Sequence, residues 1–162
     1  MREVIGGTWI TQLVIVFMFV FAAFLALSIN YSKAFKIKNE VLNIIEREEG
    51  LTDNAIKLTN NYLVNTGYNT KGKCPKNSWG ITVRGIGQYD KKFIENSSNK
   101  KYSFCVRKVK STANNFRNRA YYELRLFFKF GLPVIGDITT FDVEGQSKDV
   151  TYPLDKLRAY SK

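Results

Sequence analysis

Residues 13–27 read LVIVFMFVFAAFLAL, fifteen apolar side chains without interruption. They lie inside a window of 29 uncharged residues, Val4 to Ser32. A hydrocarbon core of ~30 Å is crossed by about 20 helical residues, so the window is long enough to span. Trp9 and Tyr31 flank the run 22 residues apart, roughly 33 Å along a helix at 1.5 Å per residue. That is the spacing of two interfacial aromatic anchors. Two other readings compete. A buried core helix would have to be wrapped on every side by what remains of a small domain. A cleavable signal peptide has an apolar region of ~7–15 residues and a small-x-small end, whereas here the uncharged stretch is longer and Ala26-Leu27-Ser28 is a poor match. The transmembrane reading accounts best for length and flanks together.

Working outward, residues 32–50 read SKAFKIKNEVLNIIEREEG, with no Pro or Gly before Gly50. Ala34, Ile37, Val41 and Ile44 recur at 3-4-3 spacing, with Phe35, Leu42 and Ile45 beside them. That spacing makes one apolar stripe on a helix, and Gly50 is a helix stop. The pattern predicts one continuous helix from Thr8 to Glu49, about 63 Å long, as a membrane span that becomes a stalk. A bend near Asn30 into two helices is the alternative. The stripe is expected to pack against other helical stalks.

The remainder reads as a short helix and a small antiparallel sheet, so the fold class is α+β. Thr52 is a candidate N-cap, Ala55, Ile56, Leu58, Thr59, Tyr62 and Leu63 recur at helical spacing, and Asn65-Thr66-Gly67 closes the helix. Residues 69–78 read as a polar loop. Residues 79–88 read as a strand with a Gly-rich end, 90–101 as a charged connection and 102–110 as an alternating strand. Residues 120–130, AYYELRLFFKF, alternate best, with Tyr122, Leu124, Leu126, Phe128 and Phe130 on one face; that is a strand with one buried face. Residues 137–144 read as a further strand and 145–148 as a hairpin loop leading into 149–152. The expected divisions are therefore 1–7, a short N-terminal tail or leader; 8–49, span and stalk; and 51–162, a basic α+β domain.

Charge is as uneven as hydropathy. The 162 residues carry 25 Lys or Arg, 14 Asp or Glu and no His, a formal net charge of +11. Residues 1–50 hold five of each sign, so the whole excess belongs to 51–162. The absence of histidine excludes Ser-His-Asp and Cys-His catalysis and any His-ligated metal, and two cysteines cannot make a four-cysteine site. Asp137, Asp142 and Glu144 could gather near one hairpin but read as solvated strand carboxylates, and GIG at 85–87 lacks the rest of a phosphate loop. No catalytic residue, metal or cofactor is expected. The basic surface includes Lys71, Lys73, Lys76, Lys91, Lys92, Lys100, Lys101, Arg107, Lys108, Lys110, Arg117 and Arg119. It reads either as a contact for a nucleic acid, another anionic polymer of the cell surface or anionic lipid, or as a solvated strand surface.

Cys74 and Cys105 are 31 residues apart. Outside the cytoplasm they would form one disulfide; the alternative is two unrelated buried thiols. Orientation is pulled both ways. Lys33, Lys36 and Lys38 after the span, against Arg2 before it, favour a cytoplasmic C-terminal domain. The cysteine pair favours an extracytoplasmic one.

This layout, carried by MREVIGGTWITQLVIVFMFVF and NYSKAFKIKNEVLNIIEREEGLT, resembles the type IV pilin-like proteins, above all the small pseudopilins of tight-adherence (Tad) pilus systems and pilin-like proteins of Gram-positive bacteria. The resemblance implies a leader, Met1 to Gly7, cut after Gly7 to leave Thr8 as the new N-terminus. It implies partners among other pilin-like or secretion-system subunits, membrane lipid around the helix and an outward-facing C-terminal domain. Family members carry Glu at the fifth mature position, where this chain has Gln12. Without that carboxylate a salt bridge to a neighbouring amino terminus is lost, which points to an assembly-type pseudopilin. Two further expectations stand beside it: a surface-tethered binding module for an anionic polymer, and a cytoplasm-facing subunit of a membrane complex.

Overall fold

The computed structural model describes residues 2–96, 99–110, 119–132 and 136–151, with side chains for 8–96, 99–110, 119–129 and 140–150. The N-terminal helix α1 runs unbroken over Arg2–Arg47. The helix continues through Asn30, and it begins before the expected Thr8, running through Gly6 and Gly7 although glycine is a poor helix former. It ends two residues before Glu49: Glu49 and Gly50 both take positive φ, and the Gly50 N–H donates to the Ile45 carbonyl at 2.9 Å. The helix α2, Asp53–Asn65, starts as expected at Thr52, whose hydroxyl accepts from the Ala55 N–H at 3.0 Å. It closes at Gly67, φ 70°, a left-handed position that glycine occupies at little cost.

Among the described residues eight strands follow: β1 (Gly72–Lys73), β2 (Ser78–Gly85), β3 (Gln88–Ile94), β4 (Lys101–Tyr102), β5 (Phe104–Lys110), β6 (Arg119–Leu132), β7 (Gly136–Gln146) and β8 (Val150–Thr151). The main sheet is antiparallel in the order β3-β2-β5-β6-β7, with β8 also on β6, and β1 pairs separately with β4. Three local expectations change. The charged connection at 90–101 contains most of β3, whose alternating Asp90, Lys91 and Lys92 sit on an edge strand where both faces tolerate charge. The polar loop at 69–78 contains β1. The stretch 145–148 makes no hairpin. Gln146 pairs with Glu123 and Val150 with Ala120, so β8 continues β7 along the same strand with one extra residue. Ser147 fills that bulge: its N–H donates to the Tyr122 carbonyl and its hydroxyl accepts from the Tyr122 N–H, both at 2.9 Å.

One face of this sheet is apolar and is covered by α1 and α2. Ile37, Val41, Leu42 and Ile45 of α1 and Ile56 and Leu63 of α2 pack with Ile81, Phe104, Val106, Tyr122, Leu124 and Leu126. Each such side chain contributes about 1.5–3 kcal/mol by leaving water. The helical stripe Ala34, Ile37, Val41 and Ile44 is therefore buried inside its own domain and does not face other stalks as expected. A one-layer sheet with an apolar face needs a cover, and the second half of α1 is the nearest element that can supply it. The expected boundary at residues 49–51 cuts through this core, so residues 34–45 belong with the sheet domain.

The opposite face carries a smaller core of Cys74, Ile94, Tyr102, Cys105 and Phe127. The chain around Gly72 crosses this face closely. A side chain at Gly72 would overlap the Phe127 ring, and one at Gly80 would meet Tyr102.

Candidate functional site

The first half of α1 is the most unusual surface of the molecule. Val14, Ile15, Val16 and Phe17 point in four directions at 100° per residue, yet all are at least half exposed. No side of the helix is covered there, in contrast with Ile37 and Val41 farther along. The helix is long and apolar enough to cross a membrane once. Its lipid-sized half and its core-forming half are continuous. The handover is marked by Tyr31, whose ring lies 5.3 Å from that of Phe141 on β7. Phe141 in turn meets Phe128 at 5.7 Å, and Phe128 meets Tyr68 edge-on at 5.5 Å. This row of aromatic contacts ties the start of the domain to the end of the apolar run. Gly7 and Thr8, the expected cleavage position, both lie within α1.

The two cysteines are brought together. Cys74 and Cys105 form a disulfide with Cα atoms 5.6 Å apart, pinning the 69–77 segment across the outer face of the sheet. Both residues are buried.

The basic residues are not gathered into one patch. Arg107 pairs with Glu123, its Nε donating to Oε2 at 2.8 Å. Arg125 reaches both Asp142, at 3.3 Å, and Glu144. These pairs neutralise the centre of the outer face, so Arg107 does not act as an open cation. The register sets Lys108 and Lys110 on the α1 side of β5, opposite to Arg107. Burial, and then the charge of Lys110, hold the Lys108 ammonium below its ordinary pKa, and both effects disfavour a second charge there. Arg119 opens β6 at the far end of the sheet, and Arg117 lies outside the described residues. Lys100 and Lys101 belong elsewhere. Lys101 pairs with Lys73 across the β1–β4 ladder, and the Lys100 ammonium lies 6.0 Å from the Tyr102 ring centre.

Among the described residues, two grooves lie on this outer face. One, of about 460 Å³, is lined by the paired Arg107, Glu123, Arg125 and Glu144. The other, of about 290 Å³, is lined by Lys71, Lys73, Lys101, Arg125, Phe127 and Asp142 among others. Arg125 and Asp142 pair with one another, so the second groove keeps three lysines in excess. Its assembly depends on the β1–β4 pairing and on Gly72 lying flat on Phe127. Neither is visible as periodicity, although Cys74 within the loop hints that the loop is fastened down. Among the described residues no group of three or more Asp, Glu or Cys has the arrangement of a metal site. Compared with known proteins, this chain matches no family model, no curated protein and no solved structure.

Proposed function

We propose that this chain is a membrane-anchored, pilin-like subunit that acts by position and contact in assembling a Tad-like pilus or secretion apparatus, with its disulfide-bonded domain outside the cytoplasm. The observation that carries this reading is the division of labour along α1. A helix with an uncovered apolar first half and a second half that completes the core of an antiparallel sheet is the architecture expected of such subunits. The disulfide supports the extracytoplasmic side, since cytosolic thiols are kept reduced. Because the stripe of the second half is already used within the domain, contact with neighbouring subunits falls to the first half, between Trp9 and Leu27.

The test is cysteine cross-linking in native membranes. Single cysteines placed from Val14 to Leu27 should yield higher-mass adducts on oxidation, strongest at positions three or four residues apart. Uniform failure to cross-link along the run, with the protein present in the membrane, would sink the assembly role and leave a simple tether.

A further inference from the structure

We infer that the groove formed by Lys71, Lys73 and Lys101 binds the phosphate headgroups of anionic lipid in the same membrane that α1 crosses. This inference rests on the anchored reading above.

The height of the groove along α1 decides what it meets. Three contacts fix how β7 lies along α1: Tyr31 meets Phe141, Lys38 and Leu42 crowd Gly145, and the Lys148 N–H donates to the Glu46 carboxylate at 2.8 Å. The two elements therefore run the same way. From Phe141 to Gly145 is roughly 13 Å along a strand at ~3.3 Å per residue, and a similar rise separates Tyr31 from the Lys38–Leu42 turn at 1.5 Å per residue. The groove is lined by Thr140, Phe141 and Asp142 of β7. It thus lies level with Tyr31, the residue at the end of the apolar run, where headgroups begin.

Its chemistry suits that level. Lys71, Lys73 and Lys101 are all exposed. Lys73 donates to the Asn99 side-chain oxygen at 3.3 Å, and among the described residues no carboxylate lies in ion-pair range of Lys71 or Lys101. Like charges facing each other at Lys73 and Lys101 are unfavourable on a strand pair unless an anion comes between them. Lysines close to an anionic membrane surface are drawn to it by its negative potential.

The experiment is amine footprinting of the full chain in proteoliposomes. The reagent is a water-soluble acetylating one, read by peptide mass spectrometry, and phosphatidylcholine vesicles are compared with vesicles containing phosphatidylglycerol. Labelling of Lys71, Lys73 and Lys101 should fall at least fivefold in the anionic vesicles and return in high salt, while Lys57 on α2 stays constant. Equal labelling in both vesicles overturns the inference. So does protection in neutral vesicles by added DNA or heparin with none from phosphatidylglycerol, which would assign the groove to a soluble polyanion. Loss of the chain from either vesicle on alkaline washing would overturn the anchored reading itself, and is scored separately.

Discussion

The Tyr68 hydroxyl donates to the Ser103 carbonyl at 2.7 Å and accepts from the Phe127 N–H at 2.9 Å. It sits where β5 stops pairing with β6, beyond Phe104 and Leu126, and satisfies two backbone groups that the ladder leaves open. Removing it strands both, at about 1–3 kcal/mol for each buried group left unsatisfied. Tyr68→Phe should therefore unfold at clearly lower denaturant, measured by circular dichroism, with the fold otherwise kept. A cost below a few tenths of a kcal/mol would show that water replaces the hydroxyl. Burial also holds the Tyr68 phenol above its ordinary pKa of 10.0. A raised folded-state pKa leaves stability intact below the unfolded value and erodes it as pH climbs past that value. The wild type should lose stability from about pH 10 upward, and Tyr68→Phe should lose less over the same range. Gly145 is a second such residue. A Cβ there would lie 2.8 Å from Leu42 Cδ1 and 2.9 Å from Lys38 Cδ, so Gly145→Val should push α1 off β7 and lower the thermal midpoint. Neither residue announces itself in the sequence. A tyrosine and a glycine in loops and strand ends carry no periodicity, and their roles depend on partners about 60 and 100 positions away.

At the scale of elements, periodicity located the helices and the best-alternating strands because α1, α2, β5 and β6 each bury one face. It missed β3, an edge strand with charges on both faces, and it took β7–β8 for a hairpin because Gly145 and Ser147 are turn residues by type but serve as a close-approach point and a bulge. The stripe on α1 was legible as a buried face, but its partner was not, since spacing shows that a face is covered and not by what. The consequence is measurable. Val41 is fully buried in the domain core, so Val41→Asp should unfold the domain, at a cost of about 3–5 kcal/mol for an uncompensated buried charge. Retained native circular dichroism in that variant, with only partner binding lost, would restore the stalk-to-stalk reading. The disulfide closes a loop of 31 residues and should stabilise by about 3–4 kcal/mol in the chain-entropy model. Denaturant titration with and without reductant measures it, and an unchanged midpoint would contradict that contribution.

For the whole molecule, the decisive property is that one helix carries both an uncovered apolar half, long enough to cross a membrane, and a half that completes the core of the sheet. The net charge of +11 looked like one basic surface, but the fold divides it. Arg107 and Arg125 are spent on ion pairs, Lys108 faces the α1 side, and three lysines meet in a groove level with Tyr31. That division arises from strand register and from a loop pinned by a disulfide, so composition alone could not show it. Everything above depends on the continuity of α1 from its uncovered apolar half to the core. Its most direct test is a nitroxide scan of the full chain in lipid nanodiscs, one labelled position at a time from Leu13 to Ile45, reading access to oxygen and to a water-soluble relaxant. Positions 13–27 should be open to oxygen on every side and closed to the aqueous relaxant. From Ala34 onward both accessibilities should fall at Ile37, Val41 and Ile45 with an unbroken helical period. Aqueous access within 13–27, or a loss of that period near Asn30, would contradict the account.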